Sequence, residues 1–136
     1  MLALTLKLAI LASGLGAFIG GYVLIHPEGA AGLTGADRSQ GRGTALRALG
    51  GALLLGHAAT LATLAQAAPI GSCLAAGLGA GWFGAAAGRS IGAMVERGGP
   101  RPLLRIGFEA AMGLLLWAPL WTYLRMIREG RFAGST

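Results

Sequence analysis

Long uncharged stretches alternate with short polar segments along this chain of 136 residues. Residues 8–25 contain no ionised side chain, and neither do the 41 residues between Arg47 and Arg89. A third apolar run, residues 106–124, contains one acid, Glu109. A helix of about 20 apolar residues crosses the roughly 30 Å hydrocarbon core of a bilayer. The pattern therefore predicts membrane-spanning helices.

The central run is too long for one span, and Pro69 divides it into two. Proline disfavours helical geometry in the residue before it and suits the first turn of the next helix. A cleaved signal peptide is the alternative for the first run, but that run continues well past the small residues at which cleavage would occur. We therefore predict an all-α protein, a single membrane domain over residues 1–136 that forms an up-down bundle of four transmembrane helices. The expected helices are about 4–25, 44–66, 69–95 and 103–125, followed by a short polar tail, 126–136.

The composition agrees with a membrane location. Hydrophobic residues make up 54% of the chain and charged residues 12%, whereas about a quarter of a soluble chain is charged. Eleven Lys and Arg residues against five acids give a net charge of +6. These basic residues do not form one patch interleaved with aromatics, which argues against nucleic acid as a partner. We expect them to meet the anionic lipid headgroups of the bilayer.

Glycine is abundant, with 25 residues, and it recurs at helical spacing. Small residues allow close van der Waals contact, the main force between helices in lipid. Two sets are predicted to pack: Gly16 and Gly20 in the first helix, and Gly77, Gly81, Gly84, Gly88 and Gly92 in the third. The second set is either an internal seam of the bundle or a dimerisation surface. We favour the internal seam because the stripe covers most of the helix.

Four ionisable residues are predicted to form an intramembrane polar cluster. Alternating helix directions bring Arg47, Arg89 and Glu109 to a similar depth, and Arg105 lies one helical turn from Glu109. Charged side chains within a membrane usually face the protein interior. The cluster is either a polar pocket that binds an anionic headgroup or carries a proton, or an ion pair that fixes helix register while the arginines extend to the interface. We favour the ion pair.

His57 is predicted to be a buried polar residue near the middle of the second helix. A buried histidine can ligate haem or a metal, but His26, the other histidine, falls at the membrane surface, so the two cannot share a site. A hydrogen bond to a hydroxyl or a carbonyl is the favoured role. The chain has one cysteine, Cys73, and shows no paired carboxylates and no nucleophile with a base. We therefore predict no catalytic residues, no metal ligands, no cofactor and no enzymatic activity.

An ordered set of residues is similar to a known family. It consists of Pro27 and Gly32, then Arg47 with Gly50-Gly51, then Gly88-Arg89-Ser90, then Gly99-Pro100 and Glu109. Over roughly residues 14–120 the chain resembles the small bacterial integral membrane proteins called domain of unknown function 4345. The resemblance implies a four-helix, multi-pass protein of the bacterial inner (cytoplasmic) membrane with Arg47, Arg89 and Glu109 as characteristic residues. It implies no activity, and the Gly-rich first loop and His57 depart from the pattern.

Two functional hypotheses follow from these observations. The first is a non-enzymatic membrane protein that packs with itself as a homo-oligomer, with lipid, or as a subunit of a larger membrane complex. The second is a small transporter, or a protein that binds an anionic ligand or lipid through the Arg/Glu cluster. Small multidrug exporters have a similar size and four helices, but they need an acid in the first helix, where this chain has only Lys7.

Overall fold

Four long helices make up nearly all of the computed structural model, which describes residues 1–29, 42–66, 68–95 and 101–130. They are α1 (Leu2–Ile25), α2 (Arg42–Gln66), α3 (Ala68–Val95) and α4 (Arg101–Arg128). Residues 27–29 are also helical, and the described ranges contain no strand. Each of the four helices is long enough and apolar enough to cross a membrane. The predicted all-α fold with four candidate membrane spans is confirmed.

The ends of the helices fall within three residues of the predicted positions. Only residue 67 separates α2 from α3, and Pro69 is the second residue of α3, where its missing N–H has no helical partner to lose. The largest difference is at the end of α4, which continues to Arg128, so residues 126–128 of the predicted tail are helical. The Arg125 Nε donates to Oε1 of Glu129 at 2.7 Å, a pairing four residues apart that favours this extension. Residues 131–136 of that tail lie outside the described residues.

The helices form a closed ring in chain order. Contacts are most extensive within two hairpins, α1 with α2 and α3 with α4, and the hairpins meet where α1 touches α4 and α2 touches α3. Helices α2 and α4 stand at opposite corners and make no contact within the part of the chain that is described. This arrangement is an up-down four-helix bundle.

Glycines at the seams let the helix backbones approach closely. A Cβ built on Gly20 of α1 falls within 3.0 Å of the α2 backbone, and one built on Gly50 of α2 falls within 3.0 Å of the α1 backbone. Gly16 lies directly against the ring of His57. In the second hairpin, a Cβ on Gly79 of α3 lies 2.9 Å from the carbonyl oxygen of Gly113 on α4. Each hairpin is therefore held by the backbone-to-backbone contact that small residues permit.

The glycine stripe of α3 faces away from the bundle. A Cβ built on any of its five members meets nothing within 4 Å: Gly77, Gly81, Gly84, Gly88 and Gly92. The interpretation of this stripe as an internal seam is therefore wrong for the single chain. The reason is that α3 carries a second small face, which includes Ala75, Gly79 and Ala86, and this second face is the buried one. Spacing alone does not distinguish two small faces of one helix.

The interior of the bundle contains small and medium side chains, and its surface carries many large apolar ones. The core cluster comprises Ala9, Ala12, Leu64, Ala75, Met112 and Leu116. Exposed large side chains include Phe18, Leu55, Leu114 and Trp121. So large an apolar surface would promote aggregation in water, whereas the acyl chains of a bilayer solvate it. The fold is thus arranged for a lipid solvent.

Candidate functional site

An ion pair joins α3 and α4 inside the span. The Nε of Arg89 donates to Oε1 of Glu109 at 2.6 Å. The Glu109 side chain is 8% exposed and that of Arg89 is 32% exposed. A charge-assisted hydrogen bond of this length is stronger than one between neutral groups. The pair ties the two helices of the second hairpin together at one depth.

The other two members of the predicted cluster do not join this pair. Arg105 lies one turn from Glu109 on α4 and is half-buried, but it makes no ion pair with Glu109 or with any other described residue. Arg47 is exposed at the start of α2, where it lines a shallow hollow of about 470 Å³ with Tyr22 and His26. The helices α2 and α4 are diagonal in the bundle, so a shared depth does not bring Arg47 to Glu109.

The Arg89–Glu109 pair leaves hydrogen-bonding capacity unused. Oε2 of Glu109 is buried and has no hydrogen-bond partner among the described residues. The hydroxyl of Ser13 and Nδ1 of His57 share this condition. Buried polar atoms without partners carry a desolvation cost of about 1–3 kcal/mol each. Among the described residues, three polar side-chain atoms of the bundle interior are thus available to a further partner.

His57 is fully buried and accepts a hydrogen bond from an indole. The Nε1 of Trp82 on α3 donates to Nε2 of His57 at 3.1 Å, so the partner is neither the hydroxyl nor the carbonyl that was predicted. Because Nε2 accepts, the proton of the neutral imidazole lies on Nδ1. A metal or haem bound at Nδ1 would move that proton to Nε2, where it would face the Trp82 N–H. The hydrogen bond thus opposes a ligand role for His57.

Replacing Trp82 with phenylalanine tests this bond. The change keeps an aromatic ring against Phe108, whose ring meets that of Trp82 edge to face at 5.8 Å between centroids. It removes the only donor to His57 Nε2 within the described ranges, and we expect a loss of about 1–3 kcal/mol in the free energy of unfolding. Unfolding of the purified protein in mixed micelles measures it. Trp121→Phe is the control because Trp121 is 65% exposed, and equal losses in both variants would contradict the role of the bond.

Trp82 was not among the predicted site residues, although the sequence contains a signal for it. Tryptophan in membrane proteins is enriched at the two interfaces, whereas Trp82 lies near the middle of α3. A tryptophan at mid-span needs a partner for its indole N–H, and His57 is the polar residue at the middle of the neighbouring helix. This coincidence makes the two residues candidate partners, and the rotation of each helix about its axis decides whether they meet.

The outward face of α3 differs from the surfaces of α1 and α4. Between residues 77 and 88 its exposed positions are all small: Gly77, Ala80, Gly81, Gly84, Ala85, Ala87 and Gly88. Cys73 is exposed one turn before Gly77. Helices α1 and α4 present leucine and aromatic side chains on their exposed faces. The outward small face of α3 thus contrasts with the bulky faces of these two helices, whereas the exposed positions of α2 between residues 52 and 65 are mostly alanine.

Comparisons with known proteins leave the structure as the main guide to function. No family model matches the chain, no curated protein matches it, and no solved structure matches it. The helices define its class, a multi-pass α-helical membrane protein. Within the described residues there is no group of three or more His, Cys, Asp or Glu side chains that could hold a metal ion. The resemblance to domain of unknown function 4345 stays a prediction.

Proposed function

We propose that this protein acts by helix–helix association in the membrane, without catalysis, and that the outward small face of α3 binds a second copy of the chain. The observation that carries the proposal is the open space at all five glycines of the stripe, where an added Cβ meets no atom of the described residues within 4 Å. The proposed location, the bacterial inner membrane, is supported by the family resemblance alone.

Helix packing in lipid favours the binding of another helix to this face. Acyl chains solvate leucine as well as another leucine does, so association of helices depends on the close approach that small residues permit. The stripe extends from Gly77 to Gly92, which corresponds to about 22 Å of helix. It therefore covers most of a hydrocarbon core of roughly 30 Å. A second helix can contact it along nearly its whole membrane-embedded length.

A second copy of α3 suits the face best. A two-fold interface uses the same patch on both partners. Two outward small faces of α3 have no protruding side chains, so their backbones can approach closely. No ionised residue occurs on α3 between Cys73 and Gly88, so like charges do not oppose the approach. Spacings of four residues are typical of right-handed crossings near −40°. With the symmetry axis along the membrane normal, the two α3 helices run parallel.

Energy transfer between labels on Cys73 tests the dimer. Cys73 is the chain's one cysteine and is exposed one turn before the first glycine of the stripe, so donor and acceptor dyes attach at the end of the stripe and leave its five glycines unchanged. In liposomes we expect wild-type transfer above the level of random proximity, and Gly81→Leu or Gly84→Leu should reduce it to that level. The matched control is Gly14→Leu, because Gly14 on α1 is also open, and this variant should keep the transfer.

Four outcomes would contradict this proposal. Random transfer in the wild type excludes self-association, and transfer that survives both α3 substitutions places the contact elsewhere. A loss in the Gly14→Leu control as large as that in the α3 variants shows a general effect of added bulk. A monomer that keeps tightly bound lipid at the stripe would assign the face to lipid instead.

The ligand-binding alternative has an observation of its own. In the Arg89–Glu109 pair one carboxylate oxygen has no partner among the described residues, and the arginine side chain is 32% exposed. A tie between two helices does not require either feature. We propose binding of an anionic lipid as the second candidate function.

A further inference from the structure

The protein uses only part of the guanidinium of Arg89. Its Nε binds Glu109, and no other hydrogen bond or ion pair involves Arg89 within the residues described. A guanidinium carries five N–H donors in a planar fork. Contact through Nε leaves the edge formed by the two terminal nitrogens unused, and this edge binds phosphate in a bidentate manner. The carboxylate of Glu109 thus holds Arg89 while leaving its phosphate-binding edge free.

The depth of Arg89 places it just below the headgroups. It lies six residues before the end of α3 at Val95, or about 9 Å along the helix axis. The 28 residues of α3 extend about 42 Å, which leaves about 6 Å beyond each boundary of a centred 30 Å hydrocarbon core. Arg89 is then about 3 Å inside the boundary, and its side chain can reach the phosphate layer.

Arg105 adds a second cation on the outer side of the pair. It lies one turn from Glu109 towards the same end of the α3–α4 hairpin and is half-buried, with no ion pair to any described residue. Among the side chains that the structure describes here, two guanidinium groups and one carboxylate leave an excess of one positive charge. An unneutralised charge is costly at this depth, so an anion from the headgroup layer is the natural counter-charge.

We infer that Arg89 and Arg105 bind the phosphate of an anionic phospholipid, with Glu109 acting as the positioning residue for Arg89. The site is formed by one chain and does not depend on the proposed dimer. Its ligand class is a phosphodiester whose headgroup adds no positive charge, such as phosphatidylglycerol. The excess positive charge discriminates against a zwitterionic headgroup such as phosphatidylcholine.

Native mass spectrometry with lipids of matched acyl chains tests the site. The wild-type protein should retain phosphatidylglycerol in preference to phosphatidylcholine. Arg105→Gln removes one charge without touching the ion pair, and it should raise the dissociation constant for the tightest phosphatidylglycerol about fivefold, the effect of one basic residue near the surface. The matched control is Arg128→Gln, which removes one arginine from the opposite end of α4 and should leave this constant unchanged.

A double variant tests Arg89 without leaving a buried charge alone. Arg89→Gln combined with Glu109→Gln keeps a neutral pair able to hydrogen-bond, and it should abolish the preference for phosphatidylglycerol. Equal binding of the two lipids by the wild type would overturn the inference. So would a preference unchanged in both the double variant and Arg105→Gln. Competition by soluble glycerol phosphate at similar concentrations would overturn the lipid assignment, because it would identify the ligand as a free phosphate ester.

Discussion

Gly20→Ala and Gly50→Ala are each expected to lower the free energy of unfolding by about 1–3 kcal/mol, the usual effect of overpacking a tight contact. At either position the new Cβ falls within 3.0 Å of backbone atoms on the facing helix. Backbone cannot rotate aside as a long side chain can, so α1 and α2 must separate. The loss occurs although alanine is the better helix former by about 1 kcal/mol.

Gly14→Ala separates the effect of overpacking from the effect of helix propensity. Gly14 belongs to the same helix, α1, and a Cβ there meets nothing within 4 Å. The substitution has the same gain in helix propensity and no contact to disturb, so it should leave stability unchanged or raise it by up to about 1 kcal/mol. Equilibrium unfolding in mixed micelles compares the three variants. If Gly14→Ala destabilises as much as Gly20→Ala, the seam between α1 and α2 is not the cause.

Arg89→Met is expected to destabilise the protein more than Glu109→Gln does. The first variant leaves a buried carboxylate without a cation, and breaking a buried pair in this way costs about 3–5 kcal/mol. Because Arg89 is 32% exposed, the lower end of that range applies. In Glu109→Gln the arginine keeps a neutral acceptor and can extend to the interface, so we expect about 1–2 kcal/mol, within the range for a weakened hydrogen bond.

A double variant separates charge from shape in this pair. In Arg89→Met the buried carboxylate of Glu109 loses the cation that binds it. The combination Arg89→Met with Glu109→Gln should be more stable than Arg89→Met alone, because no charge is left unpaired. A double variant as unstable as Arg89→Met alone would show that lost packing, and not the charge, is responsible. Equilibrium unfolding in mixed micelles measures all three variants.

The candidate site was only partly visible in the sequence. Glu109 could be placed inside a span, and Arg89 could be named among its partners, because both are charged residues within long apolar runs. The separation of Arg47 from Glu109 could not be foreseen, since it depends on which helices are neighbours in the ring. Two helices at opposite corners can carry residues at equal depth that never meet.

The sequence alone determined that the chain is helical and crosses the bilayer four times, because the length of uncharged segments is set by the thickness of the hydrocarbon core. It also located the helix ends to within three residues. Only the tertiary structure decided which small face of α3 is buried and that His57 meets Trp82. Both depend on the rotation of each helix about its axis. In a chain so uniformly apolar the hydrophobic pattern does not specify this rotation, and complementary contact between neighbouring helices does.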